Sequence, residues 1–577
     1  MYEQYASPHQ YNGTRAVQWG EGGHVGALES PASHSFSFNP LPRESTGGNF
    51  NARESMLARD IPVNYEKEDP TNFRRIRYKG RIRTWPGLVL LALVVGGTGF
   101  ALVHFTSQAH AATHDRIMDV LRQKAANQSI SSGLSTNTTT DRPPYVDDDL
   151  VVNNPKTYPK AGCELPNYQS KNGKLWAVAK NGTEVPFQIK GVNWFGMETG
   201  LQAPFGLWDN GTAGTTVYAI AEFLQANRFN SVRLPLCVQS ILGNLPLKAS
   251  IVNKATNRAL DLSSYVALLQ SIVKSLAYRQ ISVVFSMHTL TVNNDDGPLW
   301  YGKTISFDQF LDAIDMLTKS LCSDAYWNVL GIDLKNEPYL ATWGSGDATD
   351  FRVAAGTIGA RMLQRCPKWM AFVEGVNAQH TTTIDGKAFS YYDWYGGGLQ
   401  KAGTFPVAFA TPHKLVYAPH YYTPAVFPAY YFYASGTVTS SSTIANYVEL
   451  DDSSLRGRVQ ATMREMFGYL ITDTGPAVLL GEFAGLYTLD AHPKKTTKRC
   501  TDYTIETMVA EGYGGGYMWS LNPESAYEFN PADKTGFFTE GLLQDNWRDA
   551  NTVFLKAMSA MDKLPELKPM PCFPMTV

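Results

Sequence analysis

The sequence predicts a (β/α)8 barrel over roughly residues 160–577, and three observations carry that expectation. Eight short β-rich apolar runs alternate with longer amphipathic patterns across the last 400 or so residues. Polar and aromatic side chains fall where those runs end. Two of these are carboxylates, Glu337 in "GIDLKNEP" and Glu482 in "VLLGEFAG". A doubly wound open sheet would satisfy the alternation equally well. A parallel barrel also explains the polar positions, because it gathers all strand C-termini onto one face.

The runs, in order, are residues 187–193, 231–235, 282–288, 329–337, 370–375, 414–420, 477–483 and 515–520. Patterns such as "TTVYAIAEFLQANRF" (215–229) and "SFDQFLDAIDMLTKSLC" (306–322) place apolar residues on one helical face. No repeat of 20–50 residues interrupts this order.

The N-terminal quarter has a different composition. Residues 1–84 are rich in Ser, Gly, Asn and Pro, and predict a disordered tail that ends in "RRIRYKGRIR" (74–83). Residues 85–105, "WPGLVLLALVVGGTGFALVHF", contain no Asp, Glu, Lys or Arg. As a helix this stretch spans roughly 30 Å, the thickness of a bilayer's hydrocarbon core. It starts too far into the chain for a cleaved signal peptide, and its basic flank argues against a core helix. The charge bias puts the tail in the cytosol and the rest outside or in a lumen, the arrangement of a single-pass signal-anchor protein. Residues 106–159 read as a stalk or linker.

All six cysteines lie after the span, as do the sequons at Asn127, Asn137, Asn181 and Asn210. The expected disulfides are Cys322–Cys366, flanking the fourth strand, and Cys163–Cys572, joining the ends of the domain. Cys237–Cys500 is left by elimination.

The net charge of −2 gives no sign of a nucleic-acid partner. Aromatic residues make up 12% of the chain and can serve either a large core or platforms for a flat ligand. Trp519, with Trp194 and Trp300, is a candidate platform. There is no G-x-S-x-G elbow, and "YYDWYGGGL" (391–399) reads as a loop. His288 and His420 belong to no close His/His or Cys/His pair. His110 and His114 have i, i+4 spacing but no evident third ligand, so no metal and no other cofactor is expected.

Two facing carboxylates suit glycoside hydrolysis. One is protonated to serve the leaving oxygen, and the other is ionised to attack the anomeric carbon. Arg233 would keep the attacking group ionised. Asn336 is placed to bond the sugar 2-OH, and His420 and Tyr422 to orient the carboxylates.

The ordered set "IKGVNWFGMET", "NSVRLPL", "GIDLKNEP", "FVEGV", "LVYAPHYYTP", "LLGEFAG" and "YMWSLNPES" resembles glycoside hydrolase family 5, among the retaining barrel glycosidases. The resemblance covers roughly residues 165–560. It implies that Glu337 is the acid/base and Glu482 the nucleophile. Arg233, His288, Asn336, His420, Tyr422 and Trp519 fall on the family's other active-site positions. The endoglucanase-like branch acting on β-1,4-glucan looks nearest. However, "MHTLTVNNDDGPLWY" departs from that branch after the third strand, at positions that touch the sugar. The expected partner is therefore a β-linked polysaccharide. Another glycan, transglycosylation, or a non-catalytic carbohydrate-binding role remains an alternative.

Overall fold

A computed structural model describes residues 154–575, residue 249 excepted. The tail, the apolar segment 85–105, most of the stalk, Asn127 and Asn137 lie outside the described residues. Among the described residues no helix is long and apolar enough to cross a membrane.

The first described sheet is small and antiparallel: β1 (Asn167–Lys171), β2 (Lys174–Val178) and β3 (Glu184–Phe187). Its buried residues Tyr168, Leu175, Ala177 and Phe187 face inward. The Tyr168 hydroxyl bonds the Trp327 carbonyl, and the Tyr168 and Ser170 amides bond the Lys368 and His413 carbonyls. Residues 327, 368 and 413 each lie two positions before a barrel strand, so this sheet covers the barrel's N-terminal end.

The main sheet comprises β4 (Ile189–Asn193), β5 (Ser231–Cys237), β6 (Ser282–Thr289), β7 (Val329–Asp333), β8 (Met370–Val373), β9 (Leu415–Tyr417), β10 (His420–Tyr422), β11 (Leu480–Ala484) and β12 (Gly515–Met518). All its pairings are parallel. The order runs β9-β8-β7-β6-β5-β4-β12-β11-β10. Its two ends, β9 and β10, are halves of one strand interrupted at Ala418–Pro419. The Ala418 amide bonds Val373, while the Leu479 and Gly481 amides bond Tyr417 and Pro419. The sheet therefore closes as an eight-stranded barrel, and proline, which lacks an N–H, sits where the ladder passes from one neighbour to the other.

Helices α1 (Val217–Ala226), α2 (Tyr265–Tyr278), α3 (Phe307–Leu321), α4 (Phe351–Arg365), α5 (Asp452–Met466), α6 (Thr496–Ala510) and α7 (Thr552–Met558) lie between or after the barrel strands. The α3 start has a local cause: Ser306 accepts the Gln309 amide and the Gln309 side chain returns to the Ser306 amide. Between β8 and β9 a hairpin, Gln379–Ile384 with Lys387–Tyr392, replaces the helix.

The disulfides Cys163–Cys572 and Cys322–Cys366 form as expected. The first joins the two ends of the domain beside a short pairing of Cys163–Glu164 with Phe573–Pro574. The expected Cys237–Cys500 bond does not form, and both residues are buried thiols. Cys237 ends the second barrel strand, whereas Cys500 lies in α6 between the seventh and eighth. Elimination assumed that every cysteine must pair, and burial as a small apolar side chain serves them equally well.

Trp194 and Trp300 are core residues and not platforms. Trp194 donates from Nε1 to the Phe205 carbonyl at 3.0 Å, and Trp300 packs on Phe351, Phe307 and Tyr301.

Candidate active site

The site is organised around one buried arginine. Arg233 points from β5 into the barrel. It donates from Nε to Asp333 (3.0 Å) and from Nη1 to Asn193 (2.9 Å) and Glu482 (2.6 Å). From Nη2 it reaches Ser286 (2.9 Å), Asp333 (2.8 Å), Asn336 (2.8 Å) and Glu374 (3.2 Å). Asn193, Ser286 and Asp333 come from β4, β6 and β7, so this layer exists only once the parallel register has formed. Burial opposes the guanidinium charge, but Asp333, Glu482 and Glu374 outweigh it and raise its pKa further.

Glu337 arrives differently from the expected strand end. β7 stops at Asp333, and the chain continues over the mouth with the Leu334 amide on Phe372 and the Asn336 amide on Met287. Glu337 then takes a left-handed conformation (φ 43°) before Pro338. That turn is sterically costly for a non-glycine residue. Its amide is fixed by Glu374 Oε2 at 2.7 Å.

Glu482 stands mid-strand in β11, level with His420 across the β10 pairing. Its Oε1 takes Arg233, and its Oε2 accepts the Tyr422 hydroxyl in a short hydrogen bond. Burial first, then the Glu482 and Glu337 charges, push the Tyr422 pKa well above 10, so the phenol keeps its proton and remains a donor. His420 Nδ1 lies 2.9 Å from Glu337 Oε1 and 3.6 Å from Glu482 Oε2. One carboxylate oxygen of Glu337, one of Glu482 and a His420 ring nitrogen all lie within 4.8 Å of one another.

His288 and Trp519 are buried side by side. Their rings stack at 6.0 Å and 12°, and Trp519 also stacks on Phe195 at 5.4 Å and 10°. Lys335 braces the loop from beneath, donating to the His288 and Asn336 carbonyls at 3.1 and 2.6 Å. Its burial lowers its pKa to about 8 despite Glu374, Glu337 and Asp333 nearby.

The fold thus brings together all eight residues singled out from the sequence. Sequence reading passed over Asn193, Ser286, Asp333, Lys335 and Glu374. Glu374, at the end of "MAFVEG", carried the same signal as Glu337 and Glu482, a carboxylate following an apolar run.

Among the described residues, three groups of one histidine and two carboxylates have ligand atoms close enough for an ion. A donor from a neighbouring residue already reaches carboxylates in each group. Arg233 reaches Asp333 and Glu374 in one group and Glu482 in the second. In the third, His380 with Asp393 and Glu465, the Gln400 amide lies 2.7 Å from Asp393 and 3.4 Å from Glu465.

A closed parallel barrel with two carboxylates facing each other at its C-terminal mouth belongs to the class of double-carboxylate barrel enzymes. Residues 178–525 match the cellulase family, glycosyl hydrolase family 5. The chain belongs to that family. It is 30% identical over 362 residues to the major extracellular endoglucanase of Xanthomonas campestris, a match covering 62% of this chain and 64% of that enzyme. An endoglucanase of Paenibacillus polymyxa is 26% identical over 393 residues, covering 67% of this chain and 84% of the relative. Among solved structures, the Pyrococcus horikoshii endocellulase in complex with cellotetraose aligns with a TM-score of 0.56 and 27% identity, over 69% of this chain and 98% of that one. The Xanthomonas catalytic domain aligns at 0.54 and 29%, over 68% and 99%.

Proposed function

We propose that the protein is a retaining endo-β-1,4-glucanase. The observation that carries this reading is the separation of the Glu337 and Glu482 oxygens, within 4.8 Å of each other. Retaining glycosidases hold their carboxyl groups about 5–5.5 Å apart, whereas inverting ones leave about 6.5–9.5 Å for a water between them.

In this mechanism Glu482 attacks the anomeric carbon. Arg233 and the Tyr422 hydroxyl hold its two oxygens and favour its charged form. Glu337 gives its proton to the leaving oxygen, then takes one from the water that opens the glycosyl-enzyme. Asn336, its side-chain oxygen bound by Arg233, presents its amide nitrogen to the sugar 2-OH. The β-1,4-glucan preference follows the endoglucanase relatives. Soluble β-1,4-glucan, mixed-linkage glucan, β-1,3-glucan, mannan and xyloglucan supplied to residues 154–577 test it. Fastest release of reducing ends from β-1,4-glucan supports the assignment, and faster cleavage of mannan or β-1,3-glucan replaces it.

We further infer that residues 85–105 anchor the enzyme in a membrane with residues 1–84 in the cytosol. The basic flank at 74–83 supports this, as do two disulfides on the far side and the exposed sequons at Asn181 and Asn210. Protease added to intact cells or sealed vesicles tests the orientation. Glycan-bearing Asn181 or Asn210 supports it, and a glycosylated Asn12 would reverse it.

A further inference from the structure

Glu374 lies one residue beyond β8 and is fully buried. Its Oε2 holds the Glu337 amide at 2.7 Å. Its Oε1 lies 3.2 Å from Arg233 Nη2 and 3.1 Å from His420 Nε2. The other nitrogen of that ring, Nδ1, meets Glu337 Oε1 at 2.9 Å. Glu374 therefore reaches the proton donor twice, directly through the backbone and indirectly through the imidazole.

We propose that Glu374 is a positioning residue: its carboxylate keeps His420 as an imidazolium and fixes the turn at Glu337, so that Nδ1–H stabilises Glu337 as its proton leaves. This rests on the reading of Glu337 as the acid/base.

The surroundings of His420 agree with this. The charged and titratable groups around it are Arg233 from β5, Asp333 from β7, Lys335 and Glu337 after β7, Glu374 after β8, Tyr422 from β10 and Glu482 from β11. Burial opposes the imidazolium, yet Glu374, Glu482 and the hydrogen bond to Glu337 outweigh it and raise its pKa well above 6.5. Burial and the Glu374 charge push the Asp333 pKa above the usual carboxylate range, against the pull of Arg233.

Water is kept from this arrangement by the loop at Gly396. The Gly375 amide bonds the Gly396 carbonyl at 2.7 Å. Gly396 has φ 75°, and a Cβ there would lie 2.3 Å from Glu374 Oε2 and 3.2 Å from the His420 ring. Only glycine lets the backbone cover the pair so closely.

The proton bookkeeping closes. While Glu337 is protonated, its Oε1 accepts Nδ1–H as a neutral carbonyl. When its O–H proton moves to the glycosidic oxygen and the C–O bond breaks, the same hydrogen bond becomes charge-assisted and stronger. An interaction that strengthens along the reaction coordinate lowers the barrier. Glu374 and His420 neither gain nor lose a proton, and the incoming water later reprotonates Glu337.

The test combines histidine-selective 15N NMR with kinetics. In the wild-type enzyme, the His420 ring should stay doubly protonated from about pH 5 to pH 8. In Glu374→Gln it should titrate inside that range, and the alkaline limb of kcat/KM should move to lower pH. The loss should be about tenfold larger for unactivated cello-oligosaccharides than for dinitrophenyl β-cellobioside, which needs little proton donation. Glu374→Asp should restore part of the wild-type profile. A neutral His420 at pH 6 in the wild type overturns the proposal, and so does a Glu374→Gln profile of unchanged shape with equal losses on both substrates. The wild-type spectrum needs neither a folded variant nor a substrate. A protein that cleaves no β-glucan would therefore refute the activity and leave this test standing.

Discussion

Arg233 Nη1 lies 2.6 Å from Glu482 Oε1, and the two side chains are almost completely inaccessible to water. They come from the second and seventh barrel strands, so the contact spans the barrel interior. A buried pair of this kind is weak evidence for stability, because desolvating both charges offsets much of their attraction. Its clearer consequence for the proposed nucleophile is chemical, since a fixed cation favours the charged form of a carboxylate.

Removing that cation should therefore shift the pH profile as well as the rate. In Arg233→Met the Glu482 carboxyl loses its nearest positive charge, so its pKa rises and the acid limb of kcat/KM moves to higher pH. Turnover should fall by on the order of a hundredfold or more. Stability should drop by roughly 3–5 kcal/mol, because Asp333 and Glu374 lose the same partner. A pH–rate series with thermal melts at each pH checks both effects.

Glu337→Gln separates proton donation from binding. The amide keeps a hydrogen-bond acceptor for His420 but has no acidic proton to give. Hydrolysis of cello-oligosaccharides should fall by about 10²–10⁴. Formation of the glycosyl-enzyme from a dinitrophenyl glycoside should fall far less. Pre-steady-state bursts measure that step directly, and equal losses on both substrates would argue against the acid role.

The cysteine assignment makes a simple chemical prediction. Protein denatured without reductant should take up two alkyl groups, at Cys237 and Cys500, and the native protein none, because both thiols are buried. Loss of Cys322–Cys366 should cost about 2–4 kcal/mol. Peptide mapping after alkylation reads the first result, and urea unfolding of Cys322→Ala/Cys366→Ala reads the second.

Lys414 gives a pH dependence away from the active site. Its ammonium is buried at the barrel's N-terminal end, bonded to Asn167 Oδ1 and the Tyr168 carbonyl at 2.6 Å each. Burial lowers its pKa to about 7. The unfolded side chain keeps its proton to about pH 10.4. Between those values the unfolded state binds more protons, so this group makes stability rise with pH. Urea midpoints at pH 7 and pH 9 should differ less in Lys414→Met than in the wild type.

The barrel was legible because each strand carries an apolar run and each helix a one-sided stripe, both local signals. Glu337 and Glu482 were legible because a carboxylate following such a run contradicts its surroundings. What escaped notice depends on register. Asn193, Ser286 and Asp333 look ordinary in their own segments and become one layer only when four strands align around Arg233. Glu374 bore the right local signal, but its purpose depends on His420, 46 positions later. The platforms expected at Trp194 and Trp300 failed for a related reason. An aromatic residue near a strand end reads alike whether it faces the mouth or the helices. The split sixth strand was hidden because "LVYAPHYY" reads as one continuous, mostly apolar run, and only the closed ladder shows why proline stands in its middle.

The central claim is that Glu337 and Glu482 act as a retaining pair, and the configuration of the first-formed product tests it most directly. Proton NMR of a cello-oligosaccharide digest, recorded before mutarotation, should show the β-anomer of the new reducing end accumulating first and the α-anomer only later. First appearance of the α-anomer would mean single displacement and would contradict the account.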